Sequence, residues 1–162
     1  MVASKTRTNG HTRPIVGIDE LTGVWNRAGF VAAATPMFVS CQRREAPIAL
    51  AYFDFKSANT TRSAAENAAI DQVMLAMAGQ IRAAFRASDI IGRVDTFRIA
   101  VLLADCTEAA LAAVEGVRAL TDEATSPFGL TLSAGMVRSS PGGTLDQLML
   151  DADVRMKELE RD

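Results

Sequence analysis

One almost entirely apolar run constrains the fold of this chain more than any other feature. The run "PIALAYFDF", residues 47 to 55, is short for a helix and lacks the polar alternation of a half-exposed strand. A run of this kind is typical of a central strand that is covered on both faces of its sheet. The rest of the sequence must therefore supply helices for both faces.

Helical patterns occur on both sides of this run. The first extends from Phe30 to Cys41, and Pro36 is expected to kink or split that helix. The clearest apolar stripe runs from Ile70 to Phe85. A third helix is predicted from near Thr107, and a fourth begins where Thr144 and Gln147 have the form of a capping box.

The remaining apolar segments predict strands. Residues 129 to 137 alternate, and two shorter strands, 89 to 94 and 97 to 103, are predicted to join at Asp95-Thr96. A tight hairpin favours residues that adopt positive φ, which β-branched Thr96 resists. Either the loop is longer than two residues, or another turn sequence has been replaced. The element order predicts an α/β (α+β) fold with a single mixed central sheet and helices packed on it.

Length and charge indicate one globular domain. The chain has 162 residues and a net charge of −2, which gives no electrostatic case for a nucleic-acid partner. Residues 1–16 are predicted to be a disordered polar tail and residues 17–162 the domain. The tail holds the basic cluster, for which a binding arm is the alternative: Lys5, Arg7, His11 and Arg13.

Other residue types narrow the function classes. No apolar run approaches the roughly 20 residues that span a bilayer, so no membrane association and a cytoplasmic location are expected. Cys41 and Cys106 are isolated and are interpreted as buried thiols in a reducing compartment. His11 is the single histidine, which argues against His-based triads and most zinc sites.

Five segments together resemble a GGDEF domain, the diguanylate cyclase family, from about Asp19 to the carboxyl end. They are "DELTGVWNRAGF", similar to D-x-L-T-G-L-x-N-R-x-x-F; "FKSANT", similar to F-K-x-I-N-D; "RASDIIGR"; "LTLSAGMV"; and "DADVRMK", which resembles the late A-D-x-A-x-Y helix. The resemblance implies a nucleotidyl-cyclase-like fold. Active members condense GTP into cyclic di-GMP with magnesium ions.

The signature that names the family is degenerate in this sequence. The resemblance places it at Asp95, Thr96, Phe97, Arg98 and Ile99, and places the family's two metal-binding carboxylates at Ala51 and Phe97. Neither replacement offers the oxygen ligands that magnesium requires. Asp54 is expected to face away from Ala51, because the two are an odd number of residues apart on one strand. We therefore expect no catalytic residue, no metal, no cofactor and no cyclase activity.

The nucleotide contacts of the family are only partly present. Glu160 stands where the resemblance implies a phosphate-binding lysine. Asn59 and Asp71 match the guanine-binding pair at a changed spacing and are interpreted as vestigial guanine-binding residues. The alternative is a purely structural role, in which Asn59 is a turn residue and Asp71 is an acid near the exposed start of a helix.

One polar motif of the family survives. Arg86 and Asp89 have the spacing of the R-x-x-D inhibitory site, which binds cyclic di-GMP, and both are expected near the surface at an element boundary. Arginine suits phosphate or guanine, since its planar fork forms paired hydrogen bonds. Arg118 is the one candidate for the further arginine that this site commonly uses. In the ordinary structural alternative, Arg86 ends a helix and Asp89 begins a strand.

Three functional hypotheses follow. The first is a catalytically inactive regulatory module in bacterial cyclic di-GMP signalling, with cyclic di-GMP as a candidate ligand at Arg86 and Asp89. The alternative is a nucleotide-independent module that acts on a cyclase or phosphodiesterase partner, and a homodimer is an open option in either case. The third, an active cyclase with unorthodox metal ligands, is the least favoured. The lack of an attached second domain is expected to mean action in trans.

Overall fold

The computed structural model describes residues 16–57, 61–125 and 129–162. These residues form, in order, β1 (Trp25–Asn26), α1 (Arg27–Arg43), β2 (Ile48–Ser57), α2 (Ala64–Ala84), β3 (Ile90–Asp95), β4 (Arg98–Ala104), α3 (Glu108–Thr125), β5 (Leu130–Arg138) and α4 (Leu145–Leu159). The order confirms the predicted α+β arrangement. Strand β1 is an addition, because two residues are too few to show a pattern. The predicted tail lies outside the described residues except for Val16.

The strands form one mixed sheet in the order β1-β3-β4-β2-β5. Strand β1 pairs in parallel with β3, whereas β2 pairs antiparallel with both β4 and β5. Strand β2 is buried continuously from Ile48 to Phe55. This burial confirms the central, two-sided strand that the apolar run predicted.

Alternate side chains of β2 enter two separate cores, one on each face of the sheet. Ala51 and Phe53 lie in the first core, which contains the buried side chains of α2 and α3. Leu50 and Tyr52 lie in the second core with those of α1 and α4. Successive strand residues point to opposite faces, so the face decides which site a β2 residue can join.

Helix α1 runs unbroken through Pro36, so of the two predicted outcomes the split does not occur and the kink stays a prediction. Proline removes one backbone hydrogen bond, but buried side chains on both sides of it anchor the helix to the sheet. Phe30 and Ala34 are buried before Pro36, and Phe38 and Cys41 after it. Tertiary packing therefore outweighs the local cost of the proline.

Helix caps define the starts of α2 and α4. Ser63 and Glu66 form a reciprocal capping box at α2, which the sequence analysis did not anticipate. Thr144 caps α4 as predicted, accepting a bond from the Gln147 amide. The Gln147 side chain, however, donates to Asp151, so the second half of that box is not formed.

Two further expectations concern membranes and thiols. Among the helices of the described part of the chain, none has both the length and the apolar content to cross a bilayer. Cys41 and Cys106 are both buried free thiols, as predicted. Burial raises the pKa of the Cys106 thiol, which keeps it in the unreactive protonated form.

Candidate functional site

The two positions that correspond to metal carboxylates lie in apolar surroundings. Ala51 is fully buried in the core beneath α2 and α3, and Phe97 packs against the same core. The Arg62 guanidinium lies over the Phe97 ring, 4.9 Å from its centroid. A cation and an aromatic ring thus lie at the place that the family resemblance assigns to metal-binding carboxylates. Within the described ranges, no group of three or more His, Cys, Asp or Glu side chains could hold a metal ion.

The hairpin turn lies one residue later than the sequence predicted. Strand β3 continues through Asp95 and β4 begins at Arg98, so the turn residues are Thr96 and Phe97. A register shift between Arg93 and Asp95 marks a β-bulge. The Asp95 carboxylate accepts from the Thr96 amide at 2.7 Å, and Arg93 donates to the Thr96 carbonyl from Nε and Nη2. Side-chain hydrogen bonds thus hold a turn without glycine.

Arg98 occupies the fourth signature position and is held from three sides. Its guanidinium donates two bonds to the Asp54 carboxylate and a third to Asp153 on α4. It also lies 4.7 Å from the centroid of the Tyr52 ring. Asp54 therefore faces the second core, opposite Ala51, as predicted. The Asp54 hydrogen bonds raise the pKa of Arg98 above its ordinary value.

A carboxylate neutralises the lysine at the end of the site that the resemblance assigns to phosphate. Lys56 Nζ lies 2.5 Å from the Glu160 carboxylate. Glu160, which stands where the resemblance implies a phosphate-binding lysine, therefore pairs with the lysine of the "FKSANT" segment. The cavity beside Lys56, Asp95 and Phe97 has a volume of only about 160 Å³. Small-molecule sites typically occupy about 300 to 1,000 Å³. This space is small for a nucleoside triphosphate.

The predicted guanine pair is only half described. Asn59 lies outside the described residues. Asp71 is exposed on α2, as expected of a surface acid, but the expectation that it lies near the start of the helix is wrong, because α2 begins at Ala64, about two turns earlier. The vestigial guanine site therefore stays a prediction.

Arg86 and Asp89 lie together, but their environments differ from the expectation. The Asp89 side chain is only 2% exposed, whereas that of Arg86 is 49% exposed. The Asp89 carboxylate accepts from the backbone amides of Arg86 and Ala104 and from Arg86 Nη2. The prediction that both residues lie near the surface is wrong for Asp89, because its oxygens satisfy buried backbone donors.

These bonds fix the Arg86 side chain at the mouth of a cavity. Its Nη2 donates to the Ala104 carbonyl as well as to Asp89. The cavity has a volume of about 450 Å³, and Gly23, Trp25 and Arg82 join Arg86 and Asp89 in its lining. Arg118 is not part of that lining and instead lies 3.9 Å from Glu115 on its own helix.

Sequence reasoning missed three residues that shape these sites. Arg62 and Asp153 supply the contacts of Phe97 and Arg98, and Tyr52 lies beneath Arg98. A signal existed for Asp153, because the late "DADVRMK" segment contains it. No local pattern marks Arg62, whose Nη1 is buried without a hydrogen-bond partner in the described part of the chain.

The family model described as "Diguanylate cyclase, GGDEF domain" matches residues 16–162 of this chain. A comparison with curated proteins gave no match. The family match thus covers the whole sheet and all four helices of the described chain.

Solved structures show the same fold. The GGDEF domain of DgcB from Caulobacter crescentus, in complex with c-di-GMP, has a TM-score of 0.75 and 20% identity over 92% of this chain and 90% of that chain. SiaD from Pseudomonas aeruginosa, in complex with its activator SiaC, gives 0.76 and 21% over 89% and 58%. The FimX GGDEF domain from the same organism gives 0.71 and 20% over 91% and 95%. Identities this low establish the fold alone.

Proposed function

Since this chain belongs to the GGDEF domain family, we propose that it is a catalytically inactive member that regulates bacterial cyclic di-GMP signalling in the cytoplasm. The observation that carries the proposal is the apolar filling of both metal-carboxylate positions. Ala51 is fully buried in the core and Phe97 packs against it. Magnesium needs oxygen ligands near octahedral geometry, and these side chains offer none.

Electrostatics at the same place support inactivity. The Arg62 guanidinium covers Phe97, so a cation stands where a divalent metal would have to enter. Arg98 is committed to Asp54 and Asp153, and Lys56 to Glu160. Phosphoryl transfer depends on metal ions and free cations that neutralise the developing charge. In this chain the positions of the metal ligands, Ala51 and Phe97, are apolar, and the cations Arg98 and Lys56 are already paired with carboxylates.

The test of inactivity is a cyclase assay on the purified protein. With GTP and either magnesium or manganese, we expect no cyclic di-GMP, while an active diguanylate cyclase assayed in parallel makes it. Asp95 is a nearby acid that could replace a metal ligand. Turnover that follows the protein through purification and disappears in Asp95→Ala would contradict the proposal.

The proposal includes a receptor role through the cavity beside Arg86. The Arg86 guanidinium is half exposed, while Asp89 and the Ala104 carbonyl fix its direction. A guanidinium held in this way can form paired hydrogen bonds with a phosphate or with the guanine edge. In this role Asp89 is a positioning residue, because its carboxylate is buried.

Titration calorimetry with cyclic di-GMP, GTP and GDP tests the receptor role. We expect cyclic di-GMP to bind, and Arg86→Ala to weaken binding by about tenfold or more, since a charge-assisted hydrogen bond is lost. Arg155→Ala is the matched control, because Arg155 is equally exposed but lies on α4, across the sheet. Absence of heat at high micromolar cyclic di-GMP, or binding indifferent to Arg86→Ala, would reject this role.

A nucleotide-independent interaction module is the second candidate. Leu150 and Val154 on α4 are 57% and 49% exposed, and they lie one helical turn apart. An exposed apolar pair of this kind suits a protein partner, for which a cyclase or phosphodiesterase is the natural class. This candidate, or a homodimer through the same pair, becomes the better one if no nucleotide binds.

A further inference from the structure

We propose that the open edge of β5 pairs with β5 of a second copy of this chain, so that the two sheets join across a two-fold axis. Strand β5 is the last in the sheet order, and no strand lies beyond it in the described residues. The opposite edge is β1, which has only two residues and offers little backbone to a partner. The inference is independent of the proposed receptor role, and it assigns a surface to a homodimer.

The backbone of β5 alternates between groups that bond to β2 and groups that point away from it. Just beyond the strand, the Ser139 amide donates to the Ile48 carbonyl, and bonding alternates from there along the antiparallel pair. The odd-numbered residues of β5 therefore bond to β2, whereas the even-numbered residues direct their N–H and C=O groups outward. The outward positions are Leu130, Leu132, Ala134, Met136 and Arg138.

Helices cover both faces of β5, so the exposure that remains lies at its edge. The side chains of Ala134 and Met136 pack against the core that contains α2 and α3. On the other face, a Cβ at Gly135 would lie 2.9 Å from Met156 Sδ on α4. Residues 133 to 137 are nonetheless only half-buried. A row of backbone groups at an open edge is a template for another strand.

Strand β5 lacks the features that usually protect a sheet edge. It is nine residues long, it contains no proline, and its register with β2 is continuous without a bulge. It has no charged side chain from Leu130 to Val137, and Arg138 stands at its very end. Short strands, charges, prolines and bulges are the usual means of preventing edge pairing. The edge of β5 is therefore able to accept a strand along its whole length.

The same edge is complementary to itself. A two-fold axis at Ala134, the middle residue of the strand, sets outward groups against outward groups in an antiparallel pair. Leu132 then lies opposite Met136 of the partner subunit, so apolar side chains meet on the face beneath α3. Like charges do not oppose each other, because Arg138 faces Leu130 of the partner subunit. This self-complementarity is the reason for assigning a second copy as the occupant of the edge.

Sedimentation velocity and residue-resolved amide hydrogen exchange test the pairing together. We expect a monomer–dimer equilibrium in the absence of any nucleotide. The amides of Leu132, Ala134 and Met136 should exchange more slowly as the protein concentration rises, because they gain partners only in the dimer. The amides of the odd-numbered β5 residues should be protected at every concentration, because they bond to β2 in the monomer as well.

Ala134→Pro is the variant that separates edge pairing from folding. It removes an outward N–H at the axis without removing a bond to β2, and proline is tolerated at such edge positions. Each dimer loses that hydrogen bond twice, so we expect its dissociation constant to rise by about tenfold or more. Leu150→Ala is the control, because it alters the exposed apolar pair of α4 and should leave the dimer unchanged. Thermal unfolding verifies that both variants fold.

Three results would overturn the inference. They are a chain that stays monomeric at millimolar concentration, a dimer whose outward amides exchange as fast as those of the monomer, and a dimer that Leu150→Ala disrupts but Ala134→Pro does not. If Ala134→Pro fails to fold, the exchange pattern of the wild type decides. Failure to bind cyclic di-GMP would reject the receptor role and leave this dimer standing.

Discussion

At the scale of single residues, Tyr52 is a buried phenol beneath a cation. Burial, followed by the nearby Asp153 carboxylate, raises its pKa from 10.0 to about 12, and Arg98 only partly opposes this rise. The folded state therefore favours the protonated phenol. Since the pKa is raised on folding, this contribution to stability is complete below pH 10 and is lost as the pH rises towards 12.

Tyr52 is the only tyrosine, which makes the shift measurable. In an absorbance titration of tyrosinate, we expect a midpoint near 12 for the folded protein and near 10.0 in denaturant. The free energy of unfolding should fall over the same interval. Tyr52→Phe is the control and should abolish the absorbance step. A folded-state midpoint at the ordinary value would contradict the burial argument.

Asp89 shows that a motif residue can have a structural role. Its carboxylate accepts backbone bonds from Arg86 and Ala104, and thereby links the end of α2 to the end of β4. Leaving buried donors unpaired costs more than a typical hydrogen bond contributes. The R-x-x-D spacing therefore has a folding reason here, and the proposed ligand contact rests on Arg86.

At the scale of elements, Arg98 joins β4 to β2 and α4. It contacts Asp54 and Asp153, which lie 44 and 55 residues away along the chain. Asp54 is 7% exposed, so removal of Arg98 would leave its buried charge uncompensated. Removal of one partner from a buried pair typically costs about 3 to 5 kcal/mol, whereas replacement of both costs far less.

We therefore expect Arg98→Met to lower the free energy of unfolding by about 3 kcal/mol. The double variant Arg98→Met with Asp54→Asn should recover part of that loss, because the unpaired charge is gone. Arg155→Met is a surface control and should change stability by less than about 0.5 kcal/mol. Chemical denaturation measures all three. Simple additivity of the Arg98 and Asp54 changes would contradict the bridging role.

At the scale of the whole molecule, two apolar cores, one on each face, hold the sheet of the described residues together. Phe53 fills one core and Leu50 the other, both fully buried. Ala51 lies in the first core and Phe97 packs against it, so folding there relies on apolar burial. Stability should therefore be independent of divalent cations.

Thermal unfolding with EDTA, and with added magnesium, tests this independence. We expect the same Tm in both conditions, because Ala51 and Phe97 offer no ligand to a cation. Cys41 and Cys106 should be kept reduced with an agent that does not bind metal ions. A drop of several degrees with EDTA would reveal a structural metal.

The sequence predicted the elements well where their patterns are local. The apolar run of β2, the stripe of α2 and the cap at Thr144 all lie where expected. The hairpin was placed one residue early, because a bulge held by Arg93 shifts the turn. Of the kink or split predicted at Pro36, the split does not occur, because packing on both sides of the proline holds the helix together and is not a local property.

The sequence by itself determined the element order, the two faces of β2 and the apolar character of Ala51 and Phe97. Each of these follows from residue identity and from repeats of two or 3.6 residues, which act over short distances. Only the tertiary structure decided that Asp89 is buried, that Arg98 pairs with Asp153, and that Arg82 of α2 lines one cavity with Gly23. These contacts join distant segments that come together when the helices pack on the sheet, and no local periodicity encodes which side chains meet there.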